Sequence, residues 1–223
     1  MWYQRVWYRF VWAAIKVIAN ALCRVETDGC SNVPEKGPFI MASNHLHLFD
    51  PPLILIAAPY HQITALAADK WSKVWPISWL LKSMGAIFVR RGEVDREALN
   101  KCLAVLDAGG IIGLAPEGTR SRTGTMQRGK PGIAYLATKA DVPILPVGVS
   151  GQDKIFSDWK RLRRPHVIVR IGEPFKLEPV SGRNKGEQLQ AGSDEVMRRI
   201  ACLVHEDLRG VYSDCVRKLE TAT

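Results

Sequence analysis

The chain has 223 residues, 47% of them hydrophobic and 24% charged, so it carries enough apolar material for a sizeable core, which excludes an intrinsically disordered chain. Lys plus Arg total 31 against 22 for Asp plus Glu, and the resulting +9 favours an anionic partner: nucleic acid, an anionic membrane surface or phosphorylated substrates. Five cysteines, an odd count with no Cys-x-x-Cys pair, argue against a disulfide framework or zinc ribbon and for a reducing compartment.

The first segment, MWYQRVWYRFVWAAIKVIANALC, reads as a helix. At 100° per residue Arg5, Arg9, Lys16 and Asn20 fall in one stripe about 60° wide, and nearly everything else is apolar or aromatic. Two placements satisfy that pattern. One is the headgroup boundary of a bilayer, where Trp and Tyr concentrate; the other is packing on the domain's own core with the stripe facing water. No run of roughly 18 apolar residues is present for an ordinary span, and the segment lacks the order of a secretory signal.

After that helix, short apolar strands are expected at 38–43, 63–67, 86–89, 111–114, 144–149 and 167–171. Helical patterns lie between most of them. Over 95–108, Leu99, Cys102, Leu103 and Leu106 share a face and Gly109-Gly110 stops the helix; 129–140 reads as another. Strands alternating with helices imply an α/β domain with a largely parallel sheet. Residues 178–192 read as a polar surface loop, with Ser193 as N-cap of a last helix carrying Val196, Ile200, Leu203 and Leu208. The division implied is 1–24 for the amphipathic helix and 25–223 for the α/β domain, C-terminal helix included.

Three stretches carry chemistry, and each follows an expected strand. In SNHLHLFDPP (43–52), Asp50 before Pro51 has the form of an N-cap followed by Pro at the first helical position. His45 lies five residues earlier, an offset of about 140° on a continuous helix, so the two meet only if His45 stands in the preceding loop. The carboxylate then holds one ring nitrogen protonated and leaves the other to accept a proton. No Gly-x-Ser-x-Gly elbow or reactive cysteine supplies a nucleophile, which leaves a hydroxyl on the substrate. In APEGTRSRTG (115–124), Gly118 allows close backbone approach, and Arg120 and Arg122, with Arg128 and Lys130 nearby, supply charge for an anion. In GAIFVRRG (85–92), Arg90 and Arg91 stand at a strand end. Ligands gather at the carboxyl ends of strands in open α/β sheets, so the three stretches can face one cleft.

The chain resembles the glycerolipid acyltransferase family, of the 1-acylglycerol-3-phosphate acyltransferase type. Four ordered blocks carry the likeness, over roughly residues 38–150. Asn44, His45 and Asp50 match the NH-four-residues-D block. IFVRR matches the second, with Arg91 at the family's Arg. Pro116 to Ser121 match PEGTRS, and Val142 to Val147 match the VPI-apolar-PV block. Ala115 stands where Phe is usual, and Arg90 where several relatives carry an acidic residue.

The resemblance implies a glycerol-3-phosphate acyltransferase-like α/β fold with a mostly parallel central sheet flanked by helices and an N-terminal amphipathic membrane-associated helix. It implies His45 as the base acting on the acceptor's free hydroxyl and Asp50 as its orienter. Arg91, Glu117, Gly118, Thr119 and Arg120 would bind the phosphate and glycerol end, and 142–147 would shape the acyl or acceptor pocket. The implied reaction joins an acyl thioester, on coenzyme A or acyl carrier protein, to a lysophospholipid, with 1-acylglycerol 3-phosphate giving phosphatidic acid. It proceeds without an acyl-enzyme intermediate, metal or resident cofactor, and without nucleic acid, at the cytoplasmic face of an anionic membrane, the enzyme being peripheral or monotopic. Another phosphorylated acceptor or lysophospholipid is the alternative acceptor. Two readings of other classes remain. A metal hydrolase would use His45-x-His47-x-x-Asp50 but lacks further closely spaced ligands. A nucleic-acid-binding module would use WKRLRRPH (159–166) but lacks an accompanying recognition motif.

Overall fold

Phe39–Ser43 (β2) is buried on both sides, Phe39 and Met41 against one layer of helices and Ile40 and Ala42 against the other. Burial on two faces is why these strands read as continuous apolar runs instead of alternating ones. The computed structural model describes residues 2–59, 61–90, 92 and 94–214. Around β2 it builds a seven-stranded sheet with β1 (Arg24–Asp28), β3 (Ile63–Ala68), β4 (Ile87–Val89), β5 (Ile111–Leu114), β6 (Ile144–Ser150) and β7 (His166–Ile171), in the order β1-β7-β6-β2-β5-β3-β4. β2 runs parallel to β5 and β6, β3 to β5 and β4, and β1 to β7; β6 and β7 pair antiparallel. The protein is thus an α/β fold with a mostly parallel central sheet.

Helices cover both faces. On one lie α4 (Arg96–Asp107), α5 (Gly132–Ala140) and α7 (Lys185–Leu203), which bring Cys102, Leu106, Leu136, Met197 and Ile200 against Ile112 and Ile144. On the other, α2 (Asp50–Ala57) and α6 (Ile155–Lys160) bring Leu53, Ala57 and Ile155 against Phe39, Met41 and Leu145. α3 (Ile77–Ser83) precedes β4. Asp95 caps α4 by accepting from the Ala98 N–H at 3.1 Å, as its position before the apolar stripe indicates.

Three features differ from expectation. β1 carries one apolar residue, Val25, in an otherwise exposed RVETD run, so an edge strand of this kind leaves no hydrophobic signal. β7 runs antiparallel to β6, since the short α6 connection returns the chain against it. The polar run before Ser193 is not a loop throughout: α7 begins at Lys185 and Ser193 is fully buried inside it, its hydroxyl donating to the Lys130 carbonyl at 2.8 Å. Glu187, Gln188 and Gln190 are sound helix formers, and the polar turns they make carry the composition of a loop.

The helix α1 (Trp2–Leu22) lies along α2. Tyr8 and Val11 are buried, the Tyr8 hydroxyl accepts from the Ile63 N–H at 3.0 Å, and the Trp12 indole donates to the Leu55 carbonyl at 3.0 Å. Burial pushes the Tyr8 phenol up to about 12, against the favourable Ile63 N–H. Its other side is apolar and open: Trp2, Val6, Phe10, Val17 and Ile18 are exposed. Among the described residues, no helix is long and apolar enough to cross a membrane. The basic stretch near 160 has a structural share in this packing, because Trp159 donates to the Leu22 carbonyl and Arg164 to those of Asn20 and Cys23 at the end of α1.

Candidate active site

The chain leaves β2 through Asn44, which is fully buried and holds both backbone groups of Val149: its amide donates to the carbonyl at 2.9 Å and its oxygen accepts the N–H at 2.8 Å. This bidentate tie continues the β2–β6 pairing by a side chain and fixes where the next residue, His45, begins. Asp50 is also fully buried. Its Oδ2 accepts from the backbone N–H of Leu46 and of His47, both at 2.7 Å, and meets His45 Nδ1 at 3.0 Å. The expected N-cap role is not what the carboxylate performs. Asp50 is the first residue of α2, and Pro51 and Pro52 offer it no N–H to cap. The group turns back instead and caps the preceding loop. With Nδ1 bound to a carboxylate, that nitrogen carries the ring proton and Nε2 is the basic one.

A second segment holds the same histidine. Glu117, 2% exposed, accepts the His45 N–H at 2.8 Å through one carboxylate oxygen and the Gln127 N–H at 3.1 Å through the other. The Ser121 N–H donates to the His45 carbonyl at 2.9 Å. The turn after β5 therefore clamps His45 on both sides of its peptide. Burial pushes the Glu117 carboxyl up from 4.5 to about 7; the two N–H donors oppose the rise and the Asp50 charge adds to it.

A carboxyl with a raised folded pKa binds its proton more tightly folded than unfolded. Its contribution to stability is therefore full below 4.5 and is lost as pH rises through about 7. The clamp follows the opposite course, because only the ionised group accepts at both oxygens. Turnover is expected to rise with pH through about 7 as Glu117 ionises. In Glu117→Gln, which sets an amide NH₂ against a backbone N–H, kcat falls and that limb disappears from the pH–rate profile. A limb near the same pH retained in the variant would assign it to another group.

His45 and Asp50 open onto a cavity of about 530 Å³. Its walls are apolar: Ile15 of α1, Ile54 and Leu55 of α2, Leu80 and Leu81 of α3 with Met84 just after it, and Leu99, Ile133 and Leu136 from the helices opposite. Ser43 at the end of β2 and His45 after it, Ala115, Pro116 and Gly118 after β5, and Val89 of β4 line the same space, so the three stretches do converge at the carboxyl edge of the sheet. Gly118 adopts φ +67°, and a Cβ there would come within 3.0–3.2 Å of the Lys130 side chain. Lys130 thus lies across the glycine at the cavity wall, a cation that spacing alone marked only as nearby. Its backbone N–H donates to the Pro116 carbonyl at 2.8 Å, and Ser193 holds its carbonyl, so the lysine is anchored from two elements.

The remaining candidates divide. Thr119 is half-buried and Arg120 exposed on the turn beside His45; the Arg120 charge, after burial, helps hold the His47 ring neutral. Arg91 lies outside the described residues. Arg90 approaches Asp95 through its backbone N–H at 3.0 Å and its side chain at 3.5 Å, and Arg128 pairs with Asp194 at 3.3 Å. The block 142–147 does not line the cavity. Ile144 to Val147 form most of β6, and its apolar side chains fill the sheet core because β6 is covered on both faces. His47 packs against Phe49 and Phe156, with ring centroids 5.4 and 5.0 Å away, and does not turn toward Asp50 as a joint ligand. Among the described residues no three His, Cys, Asp or Glu side chains are grouped to hold a metal ion.

Comparison with known proteins adds to this geometry. The family model described as Acyltransferase matches residues 24–150. The chain is 31% identical over 148 residues to a 1-acyl-sn-glycerol-3-phosphate acyltransferase of Borreliella burgdorferi, covering 65% of this chain and 55% of that protein. It is 26% identical over 194 residues to the enzyme of that name from Bacillus subtilis, covering 86% and 94%. It spans about half the length of several curated relatives it matches. The crystal structure of a 1-acyl-sn-glycerophosphate acyltransferase from Thermotoga maritima shares the fold, with a TM-score of 0.65 at 24% identity over 96% of this chain and 81% of that one.

Proposed function

The chain belongs to the acyltransferase family, and we propose that it moves a fatty acyl group from an acyl thioester to the free sn-2 hydroxyl of 1-acylglycerol 3-phosphate, forming phosphatidic acid. The observation that carries the reading is the His45–Asp50 pair, 3.0 Å apart, at the wall of an apolar cavity of about 530 Å³. A base without a protein nucleophile suits an acceptor that brings its own hydroxyl, and an apolar chamber suits a lipid tail. The relatives, named as 1-acyl-sn-glycerol-3-phosphate acyltransferases, suggest the acceptor.

In this reading His45 Nε2 takes the proton of the sn-2 hydroxyl as its oxygen attacks the thioester carbonyl. The tetrahedral intermediate collapses with loss of the thiolate, which recovers the proton from the imidazolium. Asp50 keeps Nδ1 protonated and stabilises the cationic ring. Glu117 positions the histidine from behind. Arg120 and Lys130 bind the phosphate, with Gly118 giving the backbone room and Thr119 a hydroxyl; Arg91 joins them by family likeness. Donor and acceptor are the only small molecules required, the donor being acyl coenzyme A or acyl carrier protein. α1 is the interfacial helix and the α/β fold that begins with β1 is the catalytic domain, which works on the cytoplasmic face of a membrane as a peripheral or monotopic protein. The open apolar side of α1 and its exposed Arg5, Arg9 and Lys16 support that location.

One labelled acyl thioester, offered against 1-acylglycerol 3-phosphate, glycerol 3-phosphate, dihydroxyacetone phosphate and 1-acylglycerophosphocholine with and without vesicles, tests the reading. Label is expected in phosphatidic acid. Label confined to another acceptor refutes the assignment of substrate, and none in any lipid refutes the activity. A related expectation concerns Ala115, which lines the cavity where Phe is usual. Ala115→Phe shortens the chamber, so kcat/KM across donor and acceptor chain-length series should fall about fourfold for each methylene excluded, from ~0.8 kcal/mol per buried CH₂. Unchanged chain-length profiles in both series would show that no tail reaches this wall.

A further inference from the structure

A surface that the proposed chemistry does not use lies beside α1. Between β3 and β4 the chain makes a short 3-10 turn, Asp69–Lys73, and then α3. In this segment Val74, Trp75, Ile77 and Trp79 are all exposed, Trp75 to 82%. Indole and branched apolar groups in such density on a surface need a partner.

The partner can be read from three observations. Lys70 and Lys73 precede the cluster in sequence, Lys82 follows it and all three are exposed, while residues 70–86 contain no Asp or Glu. Exposed tryptophans flanked by lysines fit the boundary of an anionic bilayer: the rings enter the headgroup layer and the ammonium groups meet lipid phosphates. The cluster is also continuous with the exposed side of α1. Trp7 packs edge-on against Trp79 at 5.6 Å and stacks on Phe10 at 5.8 Å, and its indole donates to Ser83 at 3.0 Å. Finally, both elements wall the same cavity on their inner sides, α1 through Ile15 and α3 through Leu80 and Leu81.

We infer that the segment 74–79 is a second bilayer-inserting element, which enters an anionic lipid surface together with the N-terminal half of α1 and sets the tilt of the protein on it. The inference rests on the membrane reading of α1 given above. One helix lying in an interface holds rotation about its axis only through its own apolar and basic faces; a second point of insertion, held to the first by Trp7, restrains the protein further.

The test uses the full chain and vesicles of phosphatidylcholine with and without phosphatidylglycerol, with partitioning read by sedimentation. Trp75→Asp is expected to lower partitioning about tenfold, the size of one large apolar side chain kept out of the apolar phase. Val211→Asp, an exposed apolar residue in a separate turn after α7, should stay within about twofold of the parent chain. Because Trp75 is so open, the variant should melt with the parent and acylate a detergent-dispersed acceptor at the parent rate. Trp75→Asp partitioning like the parent overturns the inference alone. A parent chain that does not bind either vesicle overturns the membrane reading with it. Unchanged partitioning with a lower mass by light scattering assigns the cluster to a second copy of the chain instead.

Discussion

Acyl transfer by His45→Ala is expected to fall by about 10²–10⁴-fold, the usual worth of a positioned general base. The fold should survive. The His45 side chain is bonded to Asp50, and the two bonds that fix its peptide, to Glu117 and from Ser121, use backbone atoms that alanine retains. Equilibrium binding of donor and acceptor should therefore persist while kcat collapses, a split read by single-turnover kinetics alongside calorimetric affinities. Near-parent turnover would remove His45 from the role of base. Lost binding together with lost turnover would mean that the ring shapes the chamber more than it moves a proton.

Asp50→Asn should be nearly as severe for a different reason. The asparagine keeps one oxygen for Leu46 and His47, so the loop can still be capped, but its amide nitrogen now competes for the place facing the imidazole. If the oxygen stays with the two backbone N–H groups, the ring loses the acceptor that fixed its tautomer, and a rate loss on the order of 10³-fold or more follows. Exchanging charged for neutral acceptors at a buried site also destabilises the loop by about 1–3 kcal/mol. Nitrogen-15 NMR of the His45 side chain separates the two effects. The parent should show the proton on Nδ1 and the variant a mixed or inverted tautomer. A variant that keeps the parent tautomer and the parent rate would end the orienting role.

The parts of the fold legible in sequence are those with strong physical signatures. β2, β5 and β6 announce themselves as apolar runs because they are covered on both faces, β7 by its buried alternation of Val167, Val169 and Ile171, and α4 by a stripe with a capping Asp95. β1 escapes because an edge strand needs only Val25. The start of α7 escapes because its first turns bury little, and the one buried polar residue there, Ser193, has the chemistry of a cap. At the site, the meeting of His45 with Asp50 follows from the loop that must precede a Pro-led helix. What spacing could not give is direction. Glu117 and Arg120 are three residues apart on one turn, yet one carboxylate is buried against backbone and the other side chain is open to solvent. Lys130 stands twelve positions from Gly118, and only the return of the chain past Pro116 brings it to the glycine.

The clamp on His45 has a consequence for how such a site could change its preferences. In the proposed reaction one short turn would serve both halves: its inward members grip His45, and its outward members would face the incoming lipid. Drift at Glu117 or Ser121 would damage turnover for every acceptor at once, whereas Thr119 and Arg120 are free to be retuned. Divergence in headgroup choice among descendants of this scaffold should therefore be written at those two positions, with the residues on either side held still.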